Sequence, residues 1–228
     1  AVAMLQKHGL GSRSFLSSVG AGTAKIYLSD LGLAGSVYLD RFIISAMLDV
    51  RAAGVFFFFA SIINSAYVIC QAATIQVFQP QLRAAWLAGG FGGLQLALRD
   101  RFRTTVVVGL GGLLAAGPAT WIAAHISGQK EILAGLDIVP LLLAAYAFKL
   151  LSDFMNLAFA AAERDGHYAA FNIAGLALGV TGCLVAIPHL GIMGAAFAML
   201  LASASLFAGR FIAWKRLQSH APAAREAA

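Results

Sequence analysis

Long apolar runs alternate with short polar segments along the whole chain. Each run holds about 17 to 25 predominantly hydrophobic residues, which is enough to cross a hydrocarbon core of about 30 Å as a helix. The six predicted spans are residues 24–48, 52–78, 105–126, 138–162, 168–187 and 192–214. The pattern therefore predicts an all-α, polytopic integral membrane protein in which six transmembrane helices form one bundle over residues 24–217.

The polar segments define the rest of the predicted organisation. Residues 1–23 are rich in Gly and Ser and predict a cytoplasmic linker remnant, residues 79–103 an amphipathic cytoplasmic connector, and residues 218–228 a disordered cytoplasmic tail. Pro80 is expected to end the second helix, because proline breaks the helical hydrogen-bond ladder. The first 23 residues lack a signal-peptide pattern, so the sequence predicts that an upstream segment is missing.

Composition supports the membrane assignment. The chain is 60% hydrophobic and only 11% charged, whereas soluble domains carry about 25% charged residues. The net charge of +6 does not indicate a nucleic-acid partner, because no soluble domain is available to present a basic face. Cys70 and Cys183 both lie inside apolar runs without metal-ligand or redox spacing, and are predicted to pack as small apolar residues.

The distribution of Lys and Arg predicts the orientation, because basic residues are retained in cytoplasmic loops. Basic residues are concentrated in the N-terminal segment, the connector 79–103 and the C-terminus, and Arg164 lies between the fourth and fifth spans. The alternate loops contain only Arg51 and Lys130. Both termini are therefore predicted to be cytoplasmic, which agrees with an even number of spans.

The fourth run carries the most informative polar positions. Tyr146, Lys149, Asp153 and Asn156 recur at i, i+3, i+7 and i+10, so they form one stripe on a helix. An ionisable group costs about 2.5 to 3.5 kcal/mol at the centre of a bilayer, so such groups face protein or a water-filled cavity. Two interpretations stay open, a self-contained Lys149–Asp153 ion pair or a charged patch on a cavity wall.

The second and first runs carry weaker stripes. Uncharged polar residues on the second helix either bond across helices or meet hydroxyl-rich ligands; they are Asn64, Tyr67, Gln71 and Thr74. On the first helix Asp30 and Arg41 share a face, because eleven residues are close to three turns. Asp40 points about 100° away from Arg41 and is predicted to be a structural anchor. Arg41 and Asp30 are cavity candidates.

The fifth run carries a stripe of small residues. Asn172, Gly175, Gly179 and Gly182 share one face, and the spacing of Gly175 and Gly179 permits close helix approach. These positions are assigned to bundle packing.

Signatures of soluble enzyme chemistry are absent from the sequence. It contains no GxxxxGK[ST] loop, no HExxH pair and no GxSxG elbow. We therefore expect a protein that is not an enzyme, with no catalytic residue, no metal site and no cofactor; coupling to a proton or sodium gradient stays open.

Three segments resemble the polysaccharide flippases of the multidrug/oligosaccharidyl-lipid/polysaccharide exporter superfamily. They are LDRFIIS, AAGVFFFFASIINSAYVICQAATIQVFQPQL and FNIAGLALGVTGCLVAIPHLGIMGAAFAML. The shared features are an Asp-Arg near the end of the first helix, a proline after the second, an early Asn172 in the fifth, and a Gly-x-x-Gly-Ala-Ala opening to the sixth. Gly191 and Gly194 of that opening are assigned structural roles.

The resemblance implies the C-terminal six-helix half of a twelve-helix flippase in the bacterial inner membrane, with the N-terminal half absent from this sequence. The implied substrate is an undecaprenyl-pyrophosphate-linked oligosaccharide, moved from the cytoplasmic to the outer leaflet by alternating access for lipopolysaccharide or exopolysaccharide synthesis. Arg41 and Lys149 would then bind the diphosphate. Asn64, Tyr67, Gln71 and Asn156 would offer hydrogen bonds to sugar hydroxyls.

Two alternatives to a flippase stay open. A cation-coupled multidrug exporter would share the fold and could use Asp30 and Asp153 as coupling carboxylates. Each acid, however, has a base on the same stripe, whereas a cavity for cationic drugs should be lined mainly by carboxylates. The second alternative is a non-transporting membrane scaffold that assembles with a polysaccharide polymerase. Membrane lipids are expected partners in every case.

Overall fold

The structure is a computed structural model that describes residues 42–220. These residues are almost wholly helical, as the apolar runs predict. Residues 42–47 are helical, and six further helices follow in the described chain. They are α1 (Val50–Gln71), α2 (Val77–Ser127), the short α3 (Lys130–Ala134), α4 (Val139–Ala161), α5 (Asp165–Leu190) and α6 (Ile192–His220). The Asp49 carboxylate caps α1 by accepting a hydrogen bond from the Ala52 amide at 2.5 Å, a common helix start.

A long helical hairpin occupies residues 50–127. A π-helical turn, Ala72–Gln76, joins α1 to α2 without a break in the helix. Gly90 has non-helical backbone angles (φ 55°, ψ −139°) and divides α2. We call residues 50–89 arm 1 and residues 91–127 arm 2. The arms are antiparallel, since the Cys70 thiol lies against the Val108 carbonyl and the Arg101 guanidinium lies 5.4 Å from the Phe78 ring.

Two reversals of the chain share one backbone design. Gly90 and Gly191 have almost the same angles, with φ 55° and 57° and ψ −139° and −137°, a conformation that is open essentially to glycine alone. A second glycine follows three residues later in each case, Gly93 and Gly194. A side chain at either would collide with a backbone carbonyl five residues before the reversal. Gly-x-x-Gly therefore makes both turns tight enough for the two helices to touch at once.

The second helix continues past Pro80, although the sequence pattern predicts that it ends there. The π-helical turn ends at Gln76, four residues before Pro80. In a regular helix the Pro80 ring would clash with the Gln76 carbonyl and leave it without an amide partner. A π-turn changes the hydrogen-bond register at this point. As a result, residues 79–103 form the closed end of the hairpin rather than a separate connector.

Helix α4 lies at the centre of the described bundle. Arm 1, arm 2 and α6 all pack against it, while α5 packs mainly on α6. Close approach depends on small residues: Gly109 of arm 2 receives the Leu150 side chain, and Gly175 and Gly182 of α5 meet Leu206 and Ala198 of α6. Gly179 faces open space instead. Cys70 and Cys183 are buried, and neither forms a disulfide in the described chain.

The helices are suited to a membrane. Four helical stretches in the described part of the chain are long and apolar enough to cross a bilayer: Val50–Ser127, Lys130–Ala161, Gly166–Leu190 and Ile192–Ser219. The first contains both arms of the hairpin. This result supports an all-α membrane protein.

The two ends of the bundle differ in charge. We call them the Gly90 end and the Gly191 end after the two reversals. Of the residues whose side chains are described, seven basic and two acidic ones lie at the Gly90 end: Arg83, Arg99, Arg101, Arg103, Arg164, Lys215 and Arg216, with Asp100 and Glu163. Two basic and three acidic ones lie at the Gly191 end: Arg51 and Lys130, with Asp49, Glu131 and Asp137. The remaining described charges lie between the ends.

Candidate functional site

The remaining three charges, Lys149, Asp153 and Arg210, form one polar cluster inside the bundle. Uncharged side chains from α1, α4 and α5 complete it: Tyr67, Ser152, Asn156 and Asn172. Asp153 lies eight residues before the end of α4 at Ala161, or about 12 Å along the helix axis. The cluster is therefore inside the apolar part of the bundle and nearer the Gly90 end.

Asp153 is the centre of this polar cluster. Its Oδ2 accepts a hydrogen bond from the Tyr67 hydroxyl at 2.5 Å and lies 3.7 Å from Lys149 Nζ. Its other oxygen, Oδ1, accepts from Arg210 at 3.3 Å. One carboxylate thus joins α1 and α6 to the central helix. The Lys149–Asp153 ion pair that the helical spacing allows is present.

Arg210 is the most deeply buried charge, with a residue exposure of 2%. One guanidinium nitrogen donates to Ser152 Oγ at 2.7 Å and to Asp153, and another donates to Asn172 Oδ1 at 2.7 Å. The guanidinium also lies 6.0 Å from the Phe171 ring centre. Arg210 therefore ties α6 to both α4 and α5. A buried charge requires such compensation, because leaving it unpaired costs several kcal/mol.

Lys149 is the more accessible cation of the pair. Its side chain is 19% exposed, against 3% for the Arg210 side chain. On the helical wheel of α4 it lies between Tyr146, which contacts Tyr67 of α1, and Ser152, which contacts Arg210 of α6. Since α1 and α6 scarcely touch one another, the described helices leave a groove at Lys149, with α4 as its floor.

The charge balance of the cluster favours an anionic ligand. Two cations share a single carboxylate, so the cluster carries a net charge of +1 when all three groups are ionised. Two buried polar atoms, Asn156 Oδ1 and Arg210 Nε, have no hydrogen-bond partner among the described residues. A low-dielectric groove strengthens the attraction of Lys149 for a negative group compared with water. Anion binding is the chemistry that this arrangement can provide.

The predicted cavity residues divide into three groups. Tyr67, Lys149, Asp153 and Asn156 come together in the cluster. Asn64 and Gln71 are partly exposed on α1 and make no side-chain hydrogen bond to another described residue. Arg41, Asp30 and the anchor Asp40 lie outside the described residues. The α1 stripe is thus split, because Tyr67 is its one member with a side-chain hydrogen bond to α4 in the described chain.

Asn172 has a polar contact in addition to its predicted place on the packing face of α5. Its Oδ1 accepts from both Arg210 and Asn156, the latter at 3.3 Å. Gly191 and Gly194, which were assigned structural roles, form the α5–α6 reversal described above. The glycines that follow Asn172 on the same face predict packing, and they do not indicate a polar partner on α6.

Arg210 and Ser152 are the cluster residues that the sequence reasoning did not select. Arg210 interrupts the sixth apolar run in the way that Lys149 interrupts the fourth, so the same signal was available. It lies only a few residues before Lys215 and Arg216, close to the end of the sixth predicted span. Ser152 carries no sequence signal, because small hydroxyl residues are common in membrane helices.

Within residues 42–220 no group of three or more His, Cys, Asp or Glu side chains could hold a metal ion. Comparisons of the chain with known protein families, with characterised proteins and with solved structures gave no match.

Proposed function

We propose that this chain is part of a transporter that moves an anionic, lipid-linked substrate across a membrane. The observation that carries the proposal is the polar cluster, in which Lys149 and Arg210 share the single carboxylate of Asp153 inside an apolar bundle. Ionisable residues within transmembrane segments mark substrate or ion pathways by default. The excess of one positive charge favours an anion over a cation as cargo.

The proposed substrate is an undecaprenyl-pyrophosphate-linked oligosaccharide, flipped from the cytoplasmic to the outer leaflet. This follows from the resemblance of the sequence to polysaccharide flippases together with the charge of the cluster. Lys149 would attract the diphosphate from the groove. Arg210 would hold Asp153 and Asn172 in place while Asp153 releases Lys149. Tyr67 and Asn156 would offer hydrogen bonds to the sugar nearest the diphosphate.

The proposed topology places the Gly90 end in the cytoplasm. Of the described basic residues seven lie there and two at the opposite end, in agreement with the retention of Lys and Arg on the cytoplasmic side. The two arms, α4, α5 and α6 would give five crossings, and the predicted span 24–48 would be the sixth. Both termini would then be cytoplasmic, as expected for the C-terminal half of a twelve-helix flippase in the bacterial inner membrane.

A test of the function replaces Lys149 by Gln in the full-length protein, expressed at native level in cells that make the polysaccharide. Loss of a hydrogen bond to a charged group costs about 1.5 to 3 kcal/mol, so flipping of the lipid-linked oligosaccharide should fall roughly 10- to 100-fold. Lys130→Gln at the Gly191 end is the matched control and should leave the rate unchanged. Normal flipping by Lys149→Gln and by Arg210→Lys, each present at wild-type level, would contradict the proposal.

A second candidate function is a non-transporting scaffold for polysaccharide assembly. It is favoured by the almost complete enclosure of Arg210, whose partners all belong to the bundle itself. In that case Lys149→Gln should leave polymer export and binding of a polymerase unchanged. A multidrug exporter is disfavoured by the positive charge of the cluster, and would be indicated if Asp153→Asn sensitised cells to cationic dyes without changing polysaccharide export.

A further inference from the structure

Arm 2 carries an exposed stripe along its whole length that no role above explains. Its members recur at helical spacing within an arc of about 80° at 100° per residue. They are Leu96, Arg99, Arg103, Val107, Leu110, Leu114 and Trp121, and all are exposed. The opposite face of the same helix is buried against the bundle, through Thr105, Gly109, Leu113, Ala116, Thr120 and Ala124. The stripe therefore faces away from the described bundle.

The length of the stripe matches a bilayer. Trp121 and Arg103 are 18 residues apart, or about 27 Å at 1.5 Å per residue, close to the hydrocarbon thickness of about 30 Å. Every stripe residue between them is an exposed aliphatic side chain. Tryptophan and arginine are typical of the two membrane–water interfaces. This spacing sets Arg103, and Arg99 one turn further on, at headgroup level at the Gly90 end.

Arg99 and Arg103 are free to bind a ligand. Neither makes a hydrogen bond or an ion pair with another residue of the described chain, in contrast to Arg83 and Arg101, which contact Glu163 and Phe78 respectively. Side chains four residues apart on a helix are about 5 to 6 Å apart at Cβ, so two guanidinium groups can converge on one phosphate. Each guanidinium offers a planar fork of donors that suits phosphate oxygens.

We propose that Arg99 and Arg103 form a binding site for the phosphodiester of an anionic glycerophospholipid in the leaflet at the Gly90 end. The acyl chains of that lipid would lie along Val107, Leu110 and Leu114, so one molecule would satisfy both the charged and the apolar parts of the stripe. A headgroup without an amine is preferred, because an ammonium group would be repelled by the two arginines. The site does not depend on what the polar cluster transports.

The test measures lipid binding to the purified full-length protein in detergent by native mass spectrometry. Phosphatidylglycerol and phosphatidylcholine with identical acyl chains are the probes, and wild type should retain phosphatidylglycerol more strongly. A basic residue near a membrane surface contributes about 1 kcal/mol, or roughly fivefold in affinity. Arg99→Gln with Arg103→Gln should therefore weaken phosphatidylglycerol binding roughly 30-fold.

A charge-matched variant separates a built site from general attraction. Arg103→Gln with Thr104→Arg keeps the net charge but moves the cation about 100° around the helix, to an exposed position off the stripe. It should lose as much affinity as Arg103→Gln alone. Wild-type affinity in this variant would overturn the proposal, as would equal retention of phosphatidylcholine. Displacement of the lipid by an equal concentration of inorganic phosphate would identify a free-phosphate site instead.

If the double variant does not fold, Arg103→Lys replaces it. This variant keeps the charge but loses the planar fork, and its phosphatidylglycerol binding should fall at least twofold, an order-of-magnitude expectation from the weaker phosphate geometry of lysine. Unchanged binding by Arg103→Lys would contradict the proposed bidentate contact.

Discussion

Two polar contacts of opposite character join arm 1 to α4 and to the turn that follows it. Near the Gly90 end Arg83 pairs with Glu163 and donates to the Ala161 carbonyl at 3.1 Å. Further inside, Tyr67 reaches Asp153, which also binds Lys149 and Arg210. The Arg83 and Glu163 side chains are 40% and 64% exposed, and those of Arg210 and Asp153 are 3% and 16% exposed. Water can replace a partner of the first contact but not of the second.

The exposed contact has one unusual feature. Glu163 has φ 57°, a left-handed conformation that a glycine would adopt more easily. It follows the end of α4, where the Arg164 amide bonds to Phe159 O at 2.9 Å and the Glu163 amide to Ala160 O at 3.2 Å, the pattern of a Schellman cap. A glutamate at this position has a strained left-handed backbone, but its carboxylate forms an ion pair with Arg83. We therefore expect solvent exposure, rather than the number of partners, to determine how much each contact contributes to the free energy of unfolding.

The largest effect is expected from Arg210→Met, which removes the cation of the buried contact. Removing one partner of a buried ion pair costs about 3 to 5 kcal/mol, because Asp153 would keep only Lys149 and Tyr67 as partners and Asn172 would lose a donor. The free energy of unfolding in mixed micelles measures the loss. Adding Asp153→Asn should recover part of it, since coupled sites are not additive. Strict additivity of the two losses would indicate that Arg210 acts through packing alone.

An intermediate effect is expected from Tyr67→Phe, which removes only the hydroxyl. The ring is buried at 5% exposure and can stay in place, so the loss is that of one hydrogen bond to a charged group, about 1.5 to 3 kcal/mol. The same unfolding measurement applies. Tyr146→Phe, whose ring contacts that of Tyr67, shows what loss of a hydroxyl from the same ring pair costs. A loss below about 0.5 kcal/mol for Tyr67→Phe would remove Tyr67 from the cluster.

The smallest effect is expected from Glu163→Gly. The exposed ion pair contributes about 0.2 to 1 kcal/mol, and glycine relieves a left-handed strain of about 1 to 2 kcal/mol while raising the entropy of the unfolded chain. The net change should lie within about 1 kcal/mol of zero. Arg51→Gln breaks the other exposed pair, Arg51–Glu131 at 3.0 Å, and should behave alike. A loss above about 3 kcal/mol for Glu163→Gly would place it with the buried contact.

The sequence pattern was sufficient for much of α4. The spacing of Lys149, Asp153 and Asn156 defined one helical face, because a helix repeats every 3.6 residues whatever surrounds it. The same rule failed for α1, where Asn64 and Gln71 share a face with Tyr67 but stay outside the cluster. A helical wheel shows which side chains point in the same direction. It does not show at which level along the axis the neighbouring helix has its polar groups.

Arg210 illustrates a second limit of local sequence patterns. The sixth apolar run shows it as a charge inside an apolar helix, but its partners lie 38 to 58 positions earlier in the chain. No local pattern relates residues at such separations. The continuation of the second helix past Pro80 has a similar origin, since it depends on the π-helical turn and on packing of the two arms rather than on the propensity of proline.

The hydrophobic runs alone determined that the described chain is helical and suited to a membrane, because a bilayer requires every backbone polar group to be paired within its own helix. Local spacing also determined which residues share a face. The tertiary structure decided that two Gly-x-x-Gly reversals close their hairpins tightly and that α4 lies at the centre. It also decided that Tyr67, Asp153, Asn172 and Arg210 meet at one depth. Those outcomes depend on the relative position and tilt of separate helices, which are set by side-chain packing between distant segments.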